Sequence, residues 1–174
     1  MLAQASGATR IDIDGIGAIS APLQVVLLLT LLSFIPAILM TMTAFTRIVI
    51  VFHFLRQALG TQEAPSNQIL IGLALFLTVF VMAPVGEQVN AQAVQPVLRN
   101  EITVTEALER GAPPLRAFML KQTRESDLAL FVEMGRVARP ETPEQIPMRV
   151  VIPAFILSEI KTGFQMGFYL FVPF

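Results

Sequence analysis

Apolar and polar positions along this chain fall into three long apolar blocks, with a short polar stretch after the first and a long one after the second. The first block covers residues 21–59. No charged residue occurs between Gly15 and Thr46, and Leu23–Phe45 alone is long enough to cross ~30 Å of hydrocarbon as a helix. The apolar pattern continues past Arg47 to Leu59-Gly60, which reads as a helix end with its C′ glycine. One extended helix is therefore expected, kinked near Pro36, where a backbone N–H is missing. Thr30, Ser33, Thr41 and Thr43 are placed to bond freed main-chain groups or to pack between helices.

Residues 60–68 form a connector in which Pro65 stops one element and Ser66 or Asn67 caps the next, giving a helical hairpin. The second block, 69–86, reads as a helix stopped at Pro84-Val85-Gly86, with Gly72 and Ala74 easing close packing. Residues 87–149 change character: charges of both signs, six prolines and short amphipathic runs predict a water-facing helical module. Within it, Thr103 to Glu106 has the form of a capping box opening a helix that ends near Gly111. Asp127 is placed to cap a further helix over 128–138, and residues 139–147 read as a proline-spaced linker. The third block, 150–174, runs to the end of the sequence without a polar flank. Residues 1–20 are an irregular lead-in, in which Ala3-Gln4-Ala5 either ends a signal-peptide stub (residues 1–5) or matches that common pattern by chance.

The third block is the informative one, because it holds Ser158, Glu159, Lys161, Thr162 and Gln165 inside an otherwise apolar run. At ~100° per residue, Glu159 and Lys161 point to nearly opposite sides and do not neutralise each other. Ser158, Lys161 and Gln165 form one stripe, and Glu159, Gly163 and Gly167 fall together on another. A charge in mid-membrane costs roughly 2.5–3.5 kcal/mol on insertion scales, so partners on other helices are required, in this chain or in neighbouring ones. Gly163 and Gly167 supply a small-xxx-small spacing for close helix approach.

Composition agrees with a helical membrane protein. Hydrophobic residues make up 54% of the chain, and 12 basic residues against 13 acidic ones leave a net charge of -1, with no basic patch to neutralise a nucleic-acid backbone. There is no cysteine for a disulfide, thiolate metal site or nucleophile. His53 lacks partners at helical spacing and reads as an interfacial histidine. Glycine-rich phosphate loops and HExxH-type zinc motifs do not occur. Ser158 and Lys161 are spaced as a nucleophile and base, but no oxyanion motif accompanies them. No catalytic residue, cofactor or metal is expected.

Two stretches carry a family resemblance. Pro153–Phe168, PAFILSEIKTGFQMGF, and Phe52–Leu70, FHFLRQALGTQEAPSNQIL, resemble in this order the characteristic segments of the FliP family of the bacterial flagellar type III export apparatus. The likeness runs from about Pro22 to Phe174 and is closer to the flagellar branch than to the injectisome relatives. It implies an all-α inner-membrane protein of the flagellar basal body, built of helical hairpins with a small periplasmic insertion. It also implies several copies of this chain assembled with FliQ, FliR and FlhB homologues, with membrane lipid around the assembly. Unfolded flagellar proteins would pass through its pore.

In such an assembly Ser158, Glu159, Lys161, Gly163, Gln165 and Gly167 are expected as inter-subunit or inter-helix contacts. Some apolar helices would be covered by protein instead of lipid. The family continues past the position of Phe174 with further apolar helices and a methionine-rich loop. An exported amino end puts residues 47–68 in the cytoplasm and 87–149 in the periplasm. The alternative from the residues alone is an ion channel or small-solute transporter that uses Glu159 and Lys161 as coupling charges.

Overall fold

The computed structural model describes residues 21–61, 64–137 and 142–173. The expectations for residues 1–20 lie outside the described residues, as do Glu63 and positions 138–141 of the linker. The fold is all-α. Seven α-helices occur among the described residues: α1 (Ala21–Met42), α2 (Phe45–Ala58), α3 (Asn67–Val89), α4 (Gln95–Leu98), α5 (Val104–Gln122), α6 (Glu125–Met134) and α7 (Met148–Phe171). A π-turn, Asn90–Val94, joins α3 to α4, and a short 3-10 turn, Pro143–Gln145, precedes α7. The chain divides into two compact units, one ending at Ala37 and one beginning at Ile38.

The single helix expected over 21–59 is two helices. α1 continues through Pro36, and the break falls at Thr43-Ala44. Hydroxyl groups explain the position. Thr43 Oγ1 donates to the Leu39 carbonyl and accepts from Phe45 N at 3.3 Å, while Thr46 Oγ1 donates to the Met40 carbonyl at 2.7 Å. Carbonyls that a helix end leaves open are thereby satisfied by side chains, and the chain is free to start again. α2 then ends as expected, with Gly60 at φ +68 and its N–H on the Gln57 carbonyl. Ser66 occupies the N-cap of α3 without a side-chain capping bond, and Asn67 instead accepts from Arg56 at 2.6 Å.

α3 also outruns its expected bounds, passing Pro84 and Gly86 into the π-turn. An isolated proline removes one main-chain bond, which a long apolar helix tolerates. Further on, Pro96 has no N–H to return to the carbonyl four residues back, and the ladder widens there into π geometry. α4 closes on Asn100 at φ 56, with Asn100 N on Val97 O and Glu101 N on Pro96 O. The capping box of Thr103 and Glu106 is present, but α5 does not end near Gly111. Gly111 and Pro114 are buried inside the helix, and an added Cβ at Gly111 would lie 3.5 Å from Ala93 Cβ, an ordinary contact.

The core lies where α5, α6 and the first half of α7 meet: Met119, Ile146, Val150, Val151 and Phe155 are buried together. Phe118 stands edge-on to Phe155 at 5.9 Å. Each fully buried side chain of this kind contributes roughly 1.5–3 kcal/mol. The first half of α7 is thus a core element of the module, whereas Phe164, Met166, Phe168, Tyr169 and Phe171 of its second half are exposed. Val25–Met42 and Asn67–Leu98 are the described stretches that are long and apolar enough to cross a membrane.

α6 ends in a Schellman motif with Arg136, not glycine, in the left-handed position, at φ 48. Arg136 N donates to Glu133 O at 3.1 Å and Val137 N to Val132 O at 3.2 Å. Gly135 is needed for space: a Cβ there would sit 3.0 Å from Phe131 O and 3.2 Å from Val150 Cγ2. Arg136→Gly relieves about 1–2 kcal/mol of left-handed strain against roughly 0.5–1 kcal/mol of added chain entropy. A small rise in the thermal midpoint in detergent is expected, and a fall would mean that the Arg136 side chain holds an interaction of its own.

Candidate functional site

α7 presents its two stripes to two different helices. Glu159, Gly163 and Gly167 face α2. Arg47 Nε donates to Glu159 Oε2 at 3.0 Å and Arg47 Nη2 donates to Glu159 Oε1, the two parallel bonds of a guanidinium–carboxylate fork. Glu159 is fully buried and the Arg47 side chain is 23% exposed. Arg47 Nη2 also donates to Gln122 Oε1 at 2.9 Å, which draws in the end of α5. One turn further, Gly163 abuts Ile50, and Gly167 then abuts Phe54. Because 47, 50 and 54 meet 159, 163 and 167 in the same order, α2 and α7 run parallel. Phe54 stands edge-on to Phe164 at 5.5 Å and closes this seam.

Ser158, Lys161, Thr162 and Gln165 face the start of α6. Ser158 Oγ donates to Asp127 Oδ2 at 2.8 Å, and Lys161 Nζ donates to Asp127 Oδ1 at 2.5 Å. Arg124 N donates to Ser158 Oγ at 3.0 Å. The Arg124 guanidinium donates to Thr162 Oγ1 at 3.2 Å and to Gln165 Oε1. Asp127 is buried, so its expected capping role does not hold: α6 starts at Glu125 with Arg124 at the N-cap, and the Asp127 carboxylate is spent on α7. Burial pushes the Asp127 carboxyl up. The hydrogen bonds from Lys161 and Ser158 and the charges of Lys161 and Arg124 outweigh that, and the group sits below its ordinary value of 3.8.

A carboxyl depressed in the folded state adds stability above its unfolded pKa and loses it as pH falls through the folded value. The α6–α7 contact is therefore expected to be indifferent to pH between about 8 and 5 and to loosen only on acidification below 3.8. Amide exchange of α6 checks this; loosening near neutral pH would show that Asp127 is not the group holding the contact.

Of the six residues expected at contacts, Ser158, Glu159, Gly163 and Gly167 are buried against other helices of the same chain, while Lys161 and Gln165 keep exposed side chains. Their counterparts Arg47, Gln122, Arg124 and Asp127 were not singled out as partners. Arg47 carried a usable signal, since it is the first charge after an uncharged run of more than thirty residues. Along a helix axis Glu159 and Lys161 are only ~3 Å apart, so Arg47 and Asp127 stand at one level on α7.

Chemically the arrangement is a pair of clamps. Ser158 and Lys161 both donate to Asp127 instead of to each other, so the nucleophile–base pairing is not formed. No group of three His, Cys, Asp or Glu able to hold a metal occurs among the described residues.

Comparison with known proteins gives one consistent answer. The FliP family model matches residues 28–174. A flagellar biosynthetic protein FliP of Pectobacterium carotovorum is 54% identical over 151 residues, covering 87% of this chain and 58% of its own length. The Bacillus subtilis protein of that name is 48% identical, covering 90% of this chain and 71% of its own length. That of Caulobacter vibrioides is 43% identical, covering 99% and 65%. The chain thus spans about three fifths of the Pectobacterium relative, and as little as 42% of one from Buchnera aphidicola.

Proposed function

The chain belongs to the FliP family, and from that premise we propose that it is a structural subunit of the flagellar type III protein-export gate. In this reading several copies pack with FliQ and FliR homologues into a pore core for unfolded flagellar proteins, contacted by an FlhB homologue, in the inner membrane at the flagellar basal body. The observation that carries it is the division of labour on α7. The charged residues at its centre, Glu159 and Lys161, are matched inside the chain, whereas Phe164, Phe168, Tyr169 and Phe171 remain exposed. α3 likewise exposes Ile69, Phe76, Val79 and Phe80. A chain that pairs Glu159 and Lys161 internally and leaves broad apolar faces open is suited to stacking against further apolar helices and lipid. Lys161 and Gln165 are themselves bonded to Asp127 and Arg124, so the exposed aromatic side chains of α7 are the surface we assign to a neighbouring subunit.

A channel or transporter that uses Glu159 and Lys161 as coupling charges fits less well, because Arg47 forks Glu159 and Asp127 binds Lys161. The test is the native mass of the membrane-extracted particle, expressed with and without FliQ and FliR homologues. A discrete particle with several copies of this chain is expected. A stable monomer or dimer that carries ion flux in liposomes would overturn the proposal.

A further inference from the structure

We infer that the end of α2 is a binding site for a phosphate group at the membrane interface, supplied by an anionic lipid headgroup or by free phosphate. A cavity of about 270 Å³ there is lined by His53, Arg56, Gln57, Gly60 and Thr61. Among the described residues the lining holds a guanidinium, an imidazole, a carboxamide and a hydroxyl, and no carboxylate. Among the described residues no acidic group lies within ion-pair distance of Arg56. Its acceptors are neutral: Asn67 Oδ1 at 2.6 Å, the Pro65 carbonyl at 3.5 Å and His53 Nδ1 at 3.4 Å from Nη2. With Nδ1 accepting, the other His53 nitrogen carries the proton and is a donor.

Position argues for an anion as strongly as composition does. Asn67 is the first residue of the 67–98 stretch able to cross a membrane, so its bond to Arg56 ties the guanidinium to the first turn of that stretch. Apolar side chains begin beside it: Leu59 is 54% and Ile69 60% exposed. A cation at the foot of an exposed apolar belt is where a phosphodiester with its acyl chains along α3 fits, and where an arginine bonds phosphate oxygens in pairs. The inference rests on α3 meeting lipid.

The test uses native mass spectrometry of the full chain in its extracted particle. Phosphatidylglycerol, phosphatidylcholine and inorganic phosphate are offered separately. Retention of phosphatidylglycerol over phosphatidylcholine is expected to fall about fivefold in Arg56→Gln, the effect of one arginine at an anionic surface. Arg110→Gln, the same charge change at an exposed position of α5 in the module, should leave it unaltered, and Arg56→Lys should restore part of it. Competition by inorganic phosphate assigns the site to the free anion; failure to compete assigns it to lipid. Equal retention by wild type and Arg56→Gln overturns the site, as does loss of neighbouring chains from the particle with lipid binding intact. Carbonate extraction separates this from failure of the underlying reading, because release of the chain from membranes would refute the span itself.

Discussion

Glu159→Ala is expected to destabilise the α2–α7 seam by about 3–5 kcal/mol, the range seen when one member of a buried ion pair is removed. The cause is less the lost attraction than what remains. Arg47 is left with an empty fork in a largely dry site and only Gln122 as an acceptor. Its 23% exposure lets water reach part of the guanidinium and places the effect toward the low end. Replacing both partners, Arg47→Met with Glu159→Leu, should cost less than the two single changes summed, since no charge is stranded. Lys161→Ala should cost less than Glu159→Ala, because Lys161 is 46% exposed and Asp127 keeps the Ser158 hydroxyl and the neighbouring Arg124 charge. Thermal unfolding in detergent reads the order directly, and particle yield reads its consequence for assembly. Wild-type stability and yield from Glu159→Ala would sink the clamp as a structural element.

Why Glu159 and Lys161 needed separate partners was legible from helical spacing alone, and the two stripes of α7 meet two helices as that spacing demands. Which helices was not legible. Apolar blocks in sequence do not state their neighbours, and Asp127 looked like a capping residue because its local pattern is the same whether its carboxylate turns back on α6 or outward to α7. Arg47 was hidden differently: an unbroken apolar run on both sides made 21–59 read as one helix. The break at Thr43-Ala44 is made by hydroxyl bonds to carbonyls, which leave no periodicity to detect. Prolines misled in the opposite direction. Pro84, Pro113 and Pro114 each lie inside a helix where a stop was expected, since tertiary packing and the apolar setting outweigh the loss of one main-chain bond; Pro36 lies inside a helix as expected.

Gly167→Ala should separate α2 from α7 even though alanine is the better helix former. The propensity gain is about 1 kcal/mol. Against it, the new Cβ would stand 2.5 Å from Phe54 Cγ and 2.9 Å from Phe54 Cβ. A terminal ring atom could swing aside, but Phe54 Cβ is fixed to its backbone, so α2 itself must shift and loosen the Arg47 fork two turns away. Overpacking of this kind costs typically 1–3 kcal/mol or more, and strain passed to the buried ion pair adds to it. Gly72→Ala is the control: nothing lies within 4 Å of a Cβ there, and the same propensity gain should appear undiminished. Gly163→Ala should fall between the two, with Ile50 Cβ at 3.0 Å. Phe54→Gly, which removes the ring and the Cβ together, decides the cause. In that background the space opposite Gly167 is empty, and Gly167→Ala should change sign from destabilising to neutral or stabilising. If it is equally harmful with Gly or Phe at position 54, the close approach at Gly167 is not what joins the two helices.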